Sequence, residues 1–263
     1  MARDKNEFIS ALGLSGDEKL LIARIDDMMK ISEKTCADRF SAFLSESGSA
    51  LAQRYLQYCG RDNYMLYGGY ENAQRVMLGV FGQYSTPDTA DFPLVTVKFT
   101  MRPEDRLTHR DFLGSLMSLG IERDQTGDIL CGEGKAYAVL CPAAAELAVM
   151  QITKIGRTGV KCRFADDTDV IVREDRFGEI SGTVPSLRLD CIVGTAARIS
   201  RDKSASLIRS GAVSVNHSAA ESVSVTVSEG DVISIRGFGR FILHRIGSTT
   251  KKDRIHIVIK KYL

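Results

Sequence analysis

The stretch that decides the fold runs Arg188-Leu189-Asp190, then Ile199-Ser200-Arg201-Asp202-Lys203-Ser204-Ala205, then Leu207-Ile208-Arg209-Ser210-Gly211-Ala212-Val213-Ser214-Val215-Asn216, and ends on Gly230-Asp231-Val232-Ile233. Ser200 is a good N-cap, because its hydroxyl accepts a backbone N–H that the first turn of a helix leaves free. The same helix start favours a nearby phosphate. Ala205 and Ile208 share one helical face with Leu207 at its edge, which predicts packing on the β-rich tail that follows. Gly211 suits the position just past the helix, where a left-handed residue ends it. Val213 and Val215 then begin an edge strand, and Asn216 either turns the chain or offers hydrogen bonds to a base or ribose. Arg201 and Arg209 fall outside the apolar face, so replacing both is expected to leave folding nearly intact.

Downstream, Val223, Val225 and Val227 alternate with Ser222, Ser224 and Thr226, and Ile255, Ile257 and Ile259 alternate in the same way. Both runs have the period of two of half-buried strands. Upstream, residues 166 to 183 are charged and glycine-containing and read as a passage into this last domain. Before them the pattern runs strand (Leu94 to Thr100), helix (His109 to Leu119), strands (Ile121 to Leu130 and Ala136 to Cys141), helix (Ala143 to Ile155), strand (Val160 to Phe164). That order predicts a ferredoxin-like or RRM-like α/β sandwich over residues 92–165. A base-stacking RRM shows paired aromatics on its central strands. Here the third strand offers only Tyr137, so a structural or protein-docking role is weighed equally with RNA binding.

Residues 1 to about 82 read as helical. Leu20, Leu21, Ile25, Met28, Met29 and Ile31 recur at intervals of three and four, with further helical stretches near Phe40 to Leu44 and Leu51 to Cys59. Gly68 and Gly69 mark a turn before a short segment from Glu71 to Leu78, and Ser85 to Asp91 combines turn formers as a linker. The expected first domain is therefore helical and spans residues 1–84.

A hydrophobic content of 44% over 263 residues suffices for buried cores in two or three domains. No run approaches the roughly 18 apolar residues of a membrane span, and no early segment reads as a secretion signal. The net charge of +2 divides unevenly: Pro185 to Leu263 carries 13 Lys and Arg against 6 Asp and Glu, a net +7, which leaves −5 for residues 1 to 184. The basic third points to a polyanion partner. Cys36, Cys59, Cys131, Cys141, Cys162 and Cys191 never form a CxxC pair, and His109, His217, His244 and His256 form no HExxH, so neither metal, cofactor nor redox site is expected. Reduced thiols point to the cytoplasm.

The ordered pattern RLD, SR, A, LI, G, V, VN, GD resembles the S4 domain, an RNA-binding module. Arg236-Gly237-Phe238-Gly239-Arg240-Phe241, the run Thr250-Lys251-Lys252-Asp253-Arg254, and Gly68-Gly69-Tyr70-Glu71 with Arg75 are similar to the YlmH family of S4 proteins. The resemblance implies an α+β protein that ends in an S4 (αL) domain, two helices and a small β-sheet with a β extension, at residues 184–263. It implies that Arg188, Ser200, Arg201, Lys203, Arg209, Asn216, Arg236 and Arg240 read structured RNA through phosphate and ribose contacts. It further implies rRNA or tRNA of the large ribosomal subunit as partner, in rescue or quality control of stalled subunits, with no enzymatic activity.

Bland readings stand beside these. A single surface Arg or Lys is mostly just solvated. Asp190 mimics the aspartate of pseudouridine synthases, yet too little chain follows it for their catalytic domain, which makes it a helix-start or internal salt-bridge residue. Gly132-Glu133-Gly134-Lys135 lacks P-loop spacing and reads as a hairpin turn. His217 is either an RNA contact or an exposed turn residue. The competing functions are an S4-targeted RNA-modifying enzyme subunit and a cell-division-associated interaction protein.

Overall fold

The computed structural model describes residues 4–14, 16–166, 168–169, 177–216, 218–220, 222–250 and 253–262. His217, Lys251 and Lys252 lie outside them. The chain divides into two compact units, Met1–Arg173 and Glu174–Leu263.

In the first unit, helices α1 (Lys5–Leu12), α2 (Gly16–Thr35) and α3 (Glu46–Cys59) accompany three short strands, β1 (Arg39–Phe40), β2 (Tyr64–Tyr67) and β3 (Met77–Val80), in the order β1-β3-β2. Two features of α3 are visible in its ends: Ser45 Oγ accepts from Gly48 N, and Gly60 closes the helix at φ 69°. Phe8, Ile22, Ile25, Tyr55, Leu56 and Leu78 form the core between helices and sheet. The all-helical expectation is therefore corrected beyond residue 59 and at Phe40 to Leu44. Phe40, Phe43 and Leu44 have helical spacing, but five residues are too few to nucleate a helix. Phe40 instead pairs with Gly79, and Leu44 bridges Val76.

The same unit continues with β4 (Val95–Thr100), α4 (His109–Ser118), β5 (Thr126–Gly132), β6 (Lys135–Leu140), α5 (Pro142–Gln151), a hairpin of β7 (Lys154–Ile155) and β8 (Thr158–Gly159), and β9 (Lys161–Phe164). The four longer strands form an antiparallel sheet in the order β5-β6-β4-β9, so the two strand-helix-strand crossovers interlock. Both helices pack on one face through Phe112, Leu116, Ala144, Ala145 and Ala148. Two boundaries differ from expectation. A one-turn 3₁₀ helix, Arg123–Gln125, precedes β5, and α5 stops at Gln151 because the chain must reverse at Gly156 (φ 58°). The stretch read as a linker, Ser85 to Asp91, is mostly exposed and ends in a one-turn 3₁₀ helix, Thr89–Asp91; directly after it, Phe92 inserts among the rings of Phe40, Tyr67 and Phe81 at 5.0, 5.5 and 6.2 Å.

That packing explains the Gly-Gly-Tyr motif. Gly69 has φ 90°, and a Cβ there would lie 2.8 Å from Val139 Cγ1, so the turn can rest on the four-stranded sheet only as glycine. Tyr70 Oη donates to Asp128 Oδ2 at 2.6 Å, and the backbone N–H groups of Gln74 and Arg75 donate to the same carboxylate. Arg75 reaches across to the carbonyls of Thr126, Phe43 and Arg123. Burial pushes its guanidinium down to about 10. Tyr70 and Arg75 thus fasten the two sheets of this unit together.

The second unit contains β10 (Phe177–Val184), α6 (Leu189–Ala197), α7 (Arg201–Arg209), β11 (Val213–Val215), β12 (Ser218–Ala219), β13 (Val232–Ile235), β14 (Gly239–Thr249) and β15 (Ile255–Tyr262). Its strands form one antiparallel sheet in the order β10-β15-β14-β13-β11-β12. Ile192, Val193 and Ile208 of the helices bury against Ile233, Phe241, Leu243, Ile257 and Ile259 on one sheet face. The passage expected at residues 166–183 ends in a full strand, since Phe177 to Val184 pairs along its length with Tyr262 to Ile255. Gly182 permits this, because a Cβ there would meet Thr195 Cγ2 of α6 at 2.6 Å. The alternating run at Val223 to Val227 is corrected: it forms no strand, only a single antiparallel bridge from Thr226 to Arg188. Its carbonyls and amides instead serve the chain entering α6, with Leu189 N donating to Val225 O and Val227 N to Leu187 O. Val215 lies one strand in from the edge, which β12 occupies.

Candidate nucleic-acid interface

Helix α7 is built as its sequence requires. Ser200 Oγ accepts from Lys203 N at 3.3 Å, and Ser204 Oγ donates to Ser200 O at 3.0 Å. At the far end Gly211 has φ 69°; Ala212 N donates to Leu207 O and Gly211 N to Ile208 O, the paired bonds of a Schellman close. Ser204 and Ile208 are the fully buried pair, while Ala205 and Leu207 flank them. The buried Ser204 escaped the sequence reading because a serine on an apolar face looks like an interruption. Here its hydroxyl is satisfied within its own helix. It also stands 3.3 Å from where a Cβ on Gly194 would be, so glycine lets α6 and α7 approach closely.

The starts of the two helices meet at Asp190, whose side chain is only 4% exposed. Arg188 Nε donates to its Oδ1 at 3.1 Å, and Arg201 Nε donates to its Oδ2 at 2.8 Å. Burial pushes the Asp190 carboxyl up, but hydrogen bonds from Arg188 and Arg201 outweigh it and hold the group below the ordinary carboxylate range. Asp190 is thus an internal salt-bridge residue. Arg201 is more than a solvated surface cation, because one edge of its guanidinium is committed inward. Its side chain remains 62% exposed, so the other edge faces water.

Arg188, Ser200, Arg201 and Lys203 therefore gather at the N-terminal ends of α6 and α7. Lys203 and Arg209 are exposed along α7. Arg236 N donates to Ala212 O at 2.9 Å, which places that exposed residue beside the exit of α7. Two predicted positions are not brought into this group. Asn216 (φ 47°) turns the chain, with its amide donating to Asp231 Oδ1 at 2.8 Å and accepting from Val232 N at 2.9 Å. Arg240 precedes the buried Phe241 on β14 and so points to the opposite sheet face, where it stacks 5.0 Å from the Tyr262 ring, itself 4.9 Å from Phe177. A second basic group, on the four-stranded sheet of the first unit, escaped the sequence reading altogether.

The described residues hold no group of three or more His, Cys, Asp or Glu able to take a metal ion. The six cysteines are free, and burial pushes the thiol of the partly buried Cys162 up to about 11, the opposite of nucleophile activation. No helix among the described residues is long and apolar enough to cross a membrane.

Residues 87–169 match a family model described as "Putative RNA-binding domain in YlmH", which puts this α+β chain in the class of RNA-binding proteins. Over 197 residues the chain is 36% identical to the Bacillus subtilis (strain 168) protein named "Ribosome-associated protein quality control protein P2", an alignment covering 74% of this chain and 76% of that one. The chain belongs to the YlmH family. In fold it is similar to "Cell division protein ylmH from Streptococcus pneumoniae", with a TM-score of 0.52 at 19% identity over 59% of this chain and 94% of that structure.

Proposed function

We propose that the chain is a non-enzymatic, cytoplasmic RNA-binding protein that acts on the ribosome. In this reading its C-terminal unit is an S4 (αL) domain spanning residues 184–263, its middle part at 92–165 is RRM-like, and residues 1–84 form a separate element docked on it. The partner is rRNA or tRNA of the large subunit, and the task is rescue or quality control of stalled subunits. The observation that carries the reading is the exposed basic surface of α7, with Lys203 in the first turn beside the Ser200 cap and Arg209 in the last turn. Such a start favours phosphate through its free N–H groups and its dipole. The name of the Bacillus subtilis relative supports the ribosomal setting. The test is Lys203→Ala with Arg209→Ala. The double variant is expected to stay folded yet leave the large-subunit fraction of a sucrose gradient, and its RNA affinity should show a salt slope reduced by about one unit per lost phosphate contact. Unchanged co-sedimentation would overturn the assignment of this face.

A further inference from the structure

The four-stranded sheet of the first unit has a second face, away from its helices, whose charge the reading above leaves unused. Val97 and Phe99 on β4, and Ala136 and Ala138 on β6, point into the core, so Lys98, Thr100, Lys135 and Tyr137 point out. The strand register aligns Lys98 with Tyr137 on one side and Arg163 on the other, and aligns Thr100 with Lys135 and Lys161. One end of this face is covered, since Val139 packs against Phe43 and Tyr70. The other end carries Lys135, Lys161 and Arg163 exposed.

Over the centre, the chain leaving β9 folds back and sets down one carboxylate. Asp169, with a side chain 3% exposed, accepts from Lys98 Nζ at 2.6 Å, Tyr137 Oη at 3.2 Å, Arg163 Nη2 at 2.8 Å and Asp166 N at 3.2 Å. Lys98 first, with Tyr137 and Arg163 behind it, holds that carboxyl well below its ordinary range. Two cations, a phenol hydroxyl and a backbone amide converging on one anionic group are the donors that hold a phosphate. Beneath them lies the ring of Tyr137, 5% exposed, with the ammonium groups of Lys98 and Lys135 5.8 and 5.9 Å from its centroid. With Asp169 displaced, basic side chains would surround an aromatic ring on a sheet face, the arrangement that single-stranded RNA uses, phosphates on the cations and a base on the ring.

We propose that this face binds a single-stranded stretch of RNA, and that Asp169 occupies the position of one phosphate until RNA displaces it. The proposal takes from the preceding section only that RNA is the polyanion; the site is separate from α7. Asp169→Asn keeps the side chain's shape and removes the competing charge, leaving Lys98 and Arg163 for the ligand.

The experiment measures fluorescence anisotropy of a labelled oligouridylate of about eight nucleotides, a single-stranded probe of one site's length, with the full chain at low salt. Asp169→Asn is expected to bind it about tenfold more tightly than the native chain, and adding Lys135→Ala and Lys161→Ala is expected to abolish the gain. Adding Lys203→Ala and Arg209→Ala instead should leave the gain intact. Loss of the gain there would overturn this proposal while sparing the one for α7, and unchanged ribosome co-sedimentation without loss of the gain would do the reverse. Should circular dichroism show Asp169→Asn to be unfolded, Lys135→Ala with Lys161→Ala in the native chain decides the matter: weaker oligouridylate binding supports the site, and unchanged binding overturns it. Equal competition by polyglutamate would also overturn it, as that would mark a protein-docking face.

Discussion

Replacing Arg201 by Ala removes one of two guanidinium groups from a carboxylate that is 4% exposed. What remains is Arg188, whose contacts with Asp190 are 3.1 and 3.5 Å against the 2.8 Å that is lost. A hydrogen bond to a charged group contributes about 1.5–3 kcal/mol. Because Arg201 is 62% exposed, solvent screening lowers its share to the small end of that scale, and a drop of a few degrees in melting temperature is the expected outcome. For a unit of this size, each kcal/mol corresponds to a melting shift of about 4–8 °C. The assay is thermal unfolding followed by circular dichroism at neutral pH, repeated in an Asp190→Asn background to complete a double-mutant cycle. The Asp190 carboxyl is held below its ordinary value of 3.8, so its contribution is fully present above that value and is lost as pH falls below it. The gap between native chain and variant should therefore narrow in acid. A variant that melts with the native protein at neutral pH, yet binds RNA less well, would refute the claim that Arg201 holds the helix starts together.

Three further outcomes follow from the geometry. Asp128→Ala should destabilise the first unit by about 3 kcal/mol in a denaturant titration, because two backbone N–H groups and the Arg75 guanidinium lose a buried anion. Ser200→Ala should cost about 1 kcal/mol as a lost N-cap, read from the same titration. Gly69→Ala should destabilise by about 1–3 kcal/mol, since the added Cβ meets Val139 and the residue sits at φ 90°; a melting point equal to the native one would show that the turn rearranges at no cost.

The legible parts of the fold were those where local chemistry and tertiary contact agree. The cap at Ser200, the close at Gly211 and the alternation at Ile255 to Ile259 each have a cause inside a few residues, and the structure contains all three. The strands at Tyr64–Tyr67 and Met77–Val80 do not. Four apolar residues fit either a helix turn or a strand, and here the pairing partner decides. Val223 to Val227 shows the converse, a clean alternation spent on the entry to α6 because Arg188 bridges Thr226 there. The strand Phe177–Val184 was hidden by its glycines, which read as flexibility although Gly182 marks the close approach of Thr195.

For the candidate sites the obstacle was different. Sequence can place a charge on a helix or a strand, but it cannot show which charges are already answered. Arg201 and Lys203 look alike in the sequence, yet one is bonded to Asp190 and the other projects outward. Asn216 looks like a ligand contact, and its amide is consumed by Asp231 and Val232. Lys98, Lys135, Lys161 and Arg163 are scattered over some sixty-five positions, and only the register of β4 with β6 and β9 makes them one surface. The informative pattern there was the outward parity of cations on strands whose inward positions are apolar. Asp169 then answers Lys98 and Arg163 at the centre of that surface while Lys135 and Lys161 stay exposed at its end, so the first unit, net negative overall, carries a basic face whose centre is already neutralised.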